Sequence, residues 1–185
     1  YALRADGRDS AAAPTDGACA DASVEVAGLG DAGDARFVKA EGALQNHIQV
    51  AKLKNGFVAL GGVLRIGAAL PLFGSGALDL AMPDRFYLGG PLRLRAFERC
   101  GVGARSPRAR GSPLLAGDAT ALPAVGGALL WAASLILSAP VPGDPGRHGL
   151  RALAFLDAGG LLAPGARASL TSVMAETRLS CGLGL

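Results

Sequence analysis

Phe57-Val58-Ala59-Leu60-Gly61-Gly62-Val63-Leu64-Arg65-Ile66-Gly67-Ala68-Ala69-Leu70 is the stretch on which the fold turns. Its even positions give Val58, Leu60, Leu64, Ile66, Ala68 and Leu70, while its odd positions are mostly small or polar and include Gly61, Arg65 and Gly67. A period of two sends these sets to opposite faces of an extended strand. The run is far longer than the ~5–6 residues of an ordinary globular strand. It is long enough for the ~9–11 residues that a tilted strand needs to cross a bilayer.

The same alternation recurs on both sides of it. Ala18 to Val26 sets Ala18, Ala20, Ala22, Val24 and Val26 against Cys19, Asp21, Ser23 and Glu25. Phe37 to Val50 sets Val38, Ala40, Leu44, Ile48 and Val50 against Lys39, Glu41, Gln45, His47 and Gln49, with Asn46 the polar intruder on the apolar face. Leu129 to Leu137 gives Leu129, Trp131, Ala133, Leu135 and Leu137 on one parity, and the other carries Ala132, Ser134 and Ile136. Arg151 to Gly159 places Arg151 and Asp157 on one face and Ala152, Ala154, Leu156 and Ala158 on the other. Leu179, Cys181, Leu183 and Leu185 alternate with Arg178, Ser180, Gly182 and Gly184, after a polar stretch near Leu170 to Glu176 that suits a short helix. With Tyr1 to Asp6 as a further strand, the chain predicts an all-β fold. It is an antiparallel transmembrane β-barrel, present as an incomplete barrel of roughly seven strands. The connections carry turn residues: Asp6-Gly7-Arg8-Asp9, Gly28 to Gly33, Lys54-Asn55-Gly56 and Pro140 to Gly149.

Composition narrows the alternatives. Half of the 185 residues are hydrophobic and 28 are glycine. Disorder requires low hydrophobicity and collagen a strict triplet, so glycine here marks bends and close approaches in a sheet. The longest apolar run, Ala128 to Val141, is interrupted by Ser134, Ser138 and Pro140 and falls short of the ~20 residues of a spanning helix. Cys19, Cys100 and Cys181 have no disulfide or metal-ligand spacing and are expected to be free thiols. The chain starts at Tyr1 with neither a signal nor a transit peptide and is expected to begin inside a longer protein. The net charge of +3 conceals a basic segment of Arg85, Arg93, Arg95, Arg99, Arg105, Arg108 and Arg110, in which Asp84 and Glu98 are the acids.

That segment belongs to one connection, about residues 71–125, too long for a passive link. Within it stand Asp84-Arg85-Phe86-Tyr87-Leu88-Gly89-Gly90-Pro91 and then Leu94-Arg95-Ala96-Phe97. These words resemble the signature of the long sixth loop in the outer-membrane β-barrel assembly (BamA-like) family. The Leu-Gly-Gly-Pro wording is most similar to the mitochondrial sorting-and-assembly branch. Asp6-Gly7-Arg8-Asp9 resembles the family's Asp-x-Arg-Asp turn, in which Asp6, Arg8 and Asp9 are the matching residues. Phe155-Leu156-Asp157-Ala158-Gly159 resembles its Phe-x-Asp-x-Gly strand motif. Four motifs in order, separated by alternating strands, cover nearly the whole chain.

The resemblance implies that residues 1–185 are a carboxy-terminal part of the barrel domain, lacking earlier strands and the final strands. It implies that the long loop folds into the lumen, where Arg95 bonds Asp157, with Phe97, Phe155 and Gly159 completing the lock. The residues alone agree in part. Asp157 has the polar parity of its strand, and a carboxylate with little water needs a cation, for which a planar guanidinium is well shaped. Without the motif, Arg95 reads as one more solvated arginine and Asp157 as a group that wets the lumen. Phe86, Tyr87 and Phe97 read as packing anchors, His47 as a wall residue, His148 as a turn residue, and Arg105 to Arg110 as an exposed insertion. Ala96 stands where the family has glycine, and its methyl is expected either to crowd the loop tip or to oppose a positive φ.

The implied function is insertion of β-barrel precursor polypeptides into the mitochondrial outer membrane, with accessory sorting-and-assembly subunits and membrane lipid as partners. The alternative is a polypeptide-translocating channel or passive pore of the same family, in a chloroplast outer envelope or bacterial outer membrane. An enzyme is disfavoured. Phe73-Gly74-Ser75-Gly76 lacks the Gly-x-Ser-x-Gly spacing, Gly101-Val102-Gly103 is no phosphate loop, and no nucleophile, base and orienter can be grouped. No cofactor, no metal and no nucleic acid is expected.

Overall fold

A computed structural model describes residues 1–28, 36–72, 80–106, 124–143, 149–166 and 168–185. Most of the Gly28 to Gly33 turn, the Phe73 to Gly76 stretch, Arg108, Arg110 and His148 lie outside the described residues. Among the described residues, seven strands form one antiparallel sheet in chain order: β1 (Ala2–Asp6), β2 (Gly17–Ala27), β3 (Phe37–Leu53), β4 (Gly56–Pro71), β5 (Leu129–Pro140), β6 (Arg151–Leu162) and β7 (Arg178–Gly184). A short helix, α1 (Leu170–Ala175), lies in the connection between β6 and β7. Among the described residues, no helix is long and apolar enough to cross a membrane.

The register explains why alternation carries so far. Ala20 pairs with Leu44, Leu44 with Leu64, Leu64 with Ala133, Ala133 with Ala158 and Ala158 with Leu179. One apolar row thus crosses six strands on one face. Its leucines are exposed, Leu44 to 58%, Leu64 to 45% and Leu179 to 67%, and its alanines are half-buried among them. Ile48, Ile66, Leu70, Leu135, Leu137, Leu156 and Leu183 of the same face are exposed as well. The opposite face holds Phe37, Ala43, His47, Ala69, Leu130, Ala132, Asp157 and Leu161, all buried. A sheet with its apolar face turned outward and its covered face inward is a barrel wall for lipid.

Three strands, β3, β5 and β6, run well past their sequence-based ends. β6 continues beyond Gly159 to Leu162, and β5 continues beyond Leu137 to Pro140. Gly160-Leu161-Leu162 shows no alternation because both leucines are buried, although they face opposite sides. Near the membrane rim each face of β6 has cover of its own, so polarity stops reporting direction. In β3 the pairing skips Val50 between Gln49 and Ala51, a bulge that lets the strand run to Leu53 before the Lys54-Asn55 turn.

The turn between β1 and β2 is held by carboxylates. Asp9 accepts from the amides of Thr15 (2.9 Å) and Asp16 (3.2 Å) and from the Thr15 hydroxyl (2.6 Å). Asp6 accepts from Arg8 Nε at 2.8 Å and Nη2 at 2.7 Å, and from Arg4 Nη2 at 2.9 Å. Arg8 reaches on to Gln45 of β3 at 3.1 Å, and its pairing with Asp6 pushes its own pKa up. The hydroxyl and amides of Thr15 hold the Asp9 carboxyl down to about 2. With a folded value below the unfolded ~3.9, the stabilisation from Asp9 is complete above the unfolded value. It is lost as pH falls through about 2. Hydrogen exchange at the Thr15 and Asp16 amides is expected to accelerate over that window beyond its intrinsic pH trend, and Asp9→Asn should lose the dependence.

Candidate functional site: the docked loop

The described part of the long connection folds onto the inner face of the wall. Leu80, Phe86, Leu88, Leu94 and Val102 of the loop join Phe37, Ala69, Leu130, Ala132 and Leu161 of the strands in one buried cluster. The apolar inner residues of β5 and β6 are therefore a seat for the loop and not part of an open polar lumen. Phe86 pairs with Gly127 by two backbone hydrogen bonds of 2.9 Å, which ties the loop's ascending leg to the entry of β5. The Phe86 ring lies over Gly67 of β4, where a Cβ would come within 2.7 Å of it. Lys39 sits 4.7 Å from the centre of that ring and donates to the Asp84 carbonyl at 3.0 Å.

The signature residues divide into a clamp and a hairpin. Arg85 donates to the carbonyls of Leu80 (2.8 Å) and Val125 (3.2 Å), joining the two legs of the loop at its base. Tyr87 donates its hydroxyl to the Met82 carbonyl at 2.9 Å. Leu88 bridges to Val102 and is 0% exposed. Gly89 and Gly90 take φ of 120° and 97°, and a Cβ on Gly89 would fall 2.2 Å from the Glu98 carbonyl oxygen, so no other residue fits. The chain then turns at Pro91-Leu92-Arg93, with the Leu94 amide donating to Gly90 at 3.1 Å. Arg93 meets Glu41 of β3 at 3.4 Å.

At the tip, Arg95 meets Asp157. Its Nε donates to Oδ2 at 2.8 Å, its Nη2 to Oδ1 at 2.5 Å, and its backbone amide to Oδ2 at 3.1 Å. The carboxylate is 1% exposed, whereas the Arg95 side chain keeps 21%. The guanidinium also stacks 4.0 Å from the centre of the Phe155 ring, on the same face of β6. Gly159, two residues beyond Asp157, leaves space that Leu88 fills, since a Cβ there would stand 3.1 Å from Leu88 Cδ2. Phe97 serves the hairpin and its apolar seat. Its ring packs at the edge of the buried cluster, and its carbonyl accepts from Gly90 at 2.9 Å. The Asp6, Arg8 and Asp9 turn is a separate network at the opposite end of the sheet from the long loop.

Ala96 resolves differently from expectation. It adopts the positive φ, 68°, and its methyl is exposed, so neither steric objection prevents docking. The left-handed conformation costs an alanine about 1 kcal/mol relative to glycine. Ala96→Gly is expected to tighten the docked loop by roughly that amount, read as slower hydrogen exchange at Leu94 and Arg95. Sequence reading also missed Glu41 and Lys39, which receive the loop from β3. Both are polar residues of inward parity, and that is the signal that could have found them. No group of three metal-ligating side chains gathers among the described residues.

Comparison with known proteins agrees with this geometry. The sorting and assembly machinery component 50 homolog of Xenopus tropicalis is 32% identical over 188 residues, covering 97% of this chain. The human homolog is 31% identical over 193 residues, covering all of this chain. The chain spans about 36% of the length of these relatives. BamA from Haemophilus ducreyi lacking POTRA domains 1–3 superposes with a TM-score of 0.75 at 17% identity, over 98% of this chain and 34% of that one. That likeness shows the barrel fold. The Omp85 superfamily domain model matches residues 1–185. An outward apolar wall, a loop docked inside it and this family match together make the chain a β-barrel protein of an outer membrane, and it belongs to the Omp85 superfamily.

Proposed function

We propose that this chain is a carboxy-terminal portion of a barrel that inserts β-barrel precursor polypeptides into the mitochondrial outer membrane, aided by accessory sorting-and-assembly subunits. The reaction breaks no covalent bond. A precursor strand entering lipid carries backbone groups that hydrocarbon cannot satisfy, so insertion is a matter of offering hydrogen-bonding edges and a defined path. What this chain's residues do is brace the wall. The observation that carries the reading is the Arg95 to Asp157 pair seated above the buried Leu88 and Leu94, a loop fixed to the inside of the barrel. A passive pore would keep that volume wet and charged.

The test uses the complete protein with Asp157→Asn. Assembly of labelled barrel precursors is expected to fall, and single-channel conductance in planar bilayers to rise as the loop leaves the wall. Undiminished assembly by a variant whose loop has become protease-sensitive would remove the insertase role from the lock. A large conductance in the unaltered protein would favour the channel.

A further inference from the structure

The connection between β6 and β7 leaves an apolar surface that the described residues do not cover. Its helix α1 starts with a capping box, in which the Ser169 hydroxyl accepts from the Ser172 amide at 3.2 Å and the Ser172 hydroxyl accepts from the Ser169 amide at 2.9 Å. Residues Leu170, Val173 and Met174 fall within one arc of about 100° on such a helix. Val173 points to the sheet. With Ala168 it borders a shallow apolar groove of about 570 Å³ whose floor is the outward face at Ala40, Ala68, Leu129 and Trp131. The Glu176 carbonyl lies over Gly160, where an outward Cβ would stand 2.8 Å from it. The helix therefore sits outside the wall, at the rim from which the long loop also departs. Leu170 and Met174 continue its apolar arc away from the sheet and are 85% and 76% exposed. Thr171 and Ser172 form the other side of the helix, and Arg178, exposed, donates to the Ala175 and Thr177 carbonyls at its end.

We infer that α1 is a membrane-surface anchor: Leu170 and Met174 lie in the boundary between headgroups and acyl chains, and the occupant of the groove beneath Val173 is a lipid acyl chain. Continuity identifies the partner. The groove is part of the same outward belt as Ile66 and Leu70, which faces hydrocarbon, and α1 extends that belt by one turn and a half over the rim. An apolar arc beside the hydroxyls of Thr171 and Ser172 is the composition of a helix lying in the interface plane, about 5–10 Å deep on its apolar side. The capping box gives the amides of Ser169 and Ser172 partners within the protein, which lowers the cost of placing so short a helix in a partly dehydrated site.

The experiment places single cysteines in the complete protein, with Cys19, Cys100 and Cys181 replaced by alanine, and labels them with bimane. The barrel is reconstituted in phosphatidylcholine vesicles whose acyl chains carry bromine. Bimane at Leu170→Cys and Met174→Cys is expected to lose emission to the brominated chains and to ignore iodide in the buffer, whereas Thr171→Cys and Ser172→Cys show the reverse. Iodide quenching at all four positions would overturn the inference. So would protection of Met174→Cys from both quenchers, which would mean that protein covers the helix. Leu170→Gln with Met174→Gln, which leaves the strands intact, should make a bimane at Val173→Cys newly accessible to iodide. No change there would also count against it. None of these readouts depends on precursor assembly.

Discussion

Replacing Asp157 with asparagine is expected to undock the long loop. The carboxylate is sealed from water and takes three hydrogen bonds from Arg95. An amide of the same shape keeps one acceptor oxygen but turns an NH2 group toward a guanidinium, leaving a cation in a pocket built for its counter-ion. Breaking a buried pair from one side costs about 3–5 kcal/mol. Because the Arg95 side chain retains one-fifth of its exposure to the lumen, we place the loss near about 2–3 kcal/mol. Arg95→Lys keeps the charge but forfeits the two-pronged contact and the stacking on Phe155, for a loss of about 1–2 kcal/mol. Arg95→Gln combined with Asp157→Asn should cost less than the two single changes added together, since neither charge is then stranded. Limited trypsin cleavage at Arg95 reads the single change Asp157→Asn, and hydrogen exchange across residues 84–102 reads the whole set. Unaltered protection in Asp157→Asn would show that the apolar seat alone holds the loop.

Truncating Leu88 to alanine is expected to loosen the same loop by a different route. Leu88 has no exposed surface, bridges Val102 across the loop hairpin, and its Cδ2 occupies the space above Gly159. Leucine to alanine in such a site costs about 2–5 kcal/mol, and the upper part of that range applies where the surroundings cannot close in. Here the floor is sheet backbone, which cannot collapse. Gly159→Ala attacks the contact from below. Its new methyl would stand 3.0 Å from the Trp131 carbonyl oxygen and 3.1 Å from Leu88, an overpacking worth about 1–3 kcal/mol. In the double variant the methyl at 159 gains room from the shortened side chain at 88, but the Trp131 backbone contact remains, so rescue should be partial. Thermal unfolding of the reconstituted barrel and protease resistance of the loop measure both. Equal resistance of Leu88→Ala and the parent would mean that this core is not what seats the loop.

These two predictions draw on different kinds of legibility. Arg95 and Asp157 could be paired from the sequence because the family words in the loop and in β6 point to each other, and because a strand's parity sends Asp157 inward. Nothing in the sequence assigned Leu88 to Gly159. That contact joins a loop residue to a strand residue far along the chain, and the residues between them include a segment with no periodic signal. Ala96 shows the limit from the other side. Its departure from glycine suggested a misfit, yet an alanine whose methyl meets open space can carry a positive φ at modest cost.

The sequence by itself determined the strands, their order and which side of each faces lipid, because a period of two is written locally and a bilayer enforces it residue by residue. It also determined the short helix after β6, whereas the positive-φ turn at Gly89-Gly90 was visible only in the folded chain. The tertiary structure alone decided how the inner face is used. Phe37, Leu130 and Leu161 look like lapses in the polar parity until Leu80, Leu88 and Leu94 are folded over them. It likewise decided that β6 reaches Leu162, that Lys39 and Glu41 receive the loop, and that α1 overhangs the outer rim. Contacts of this kind depend on where distant segments meet, and local alternation carries no record of that.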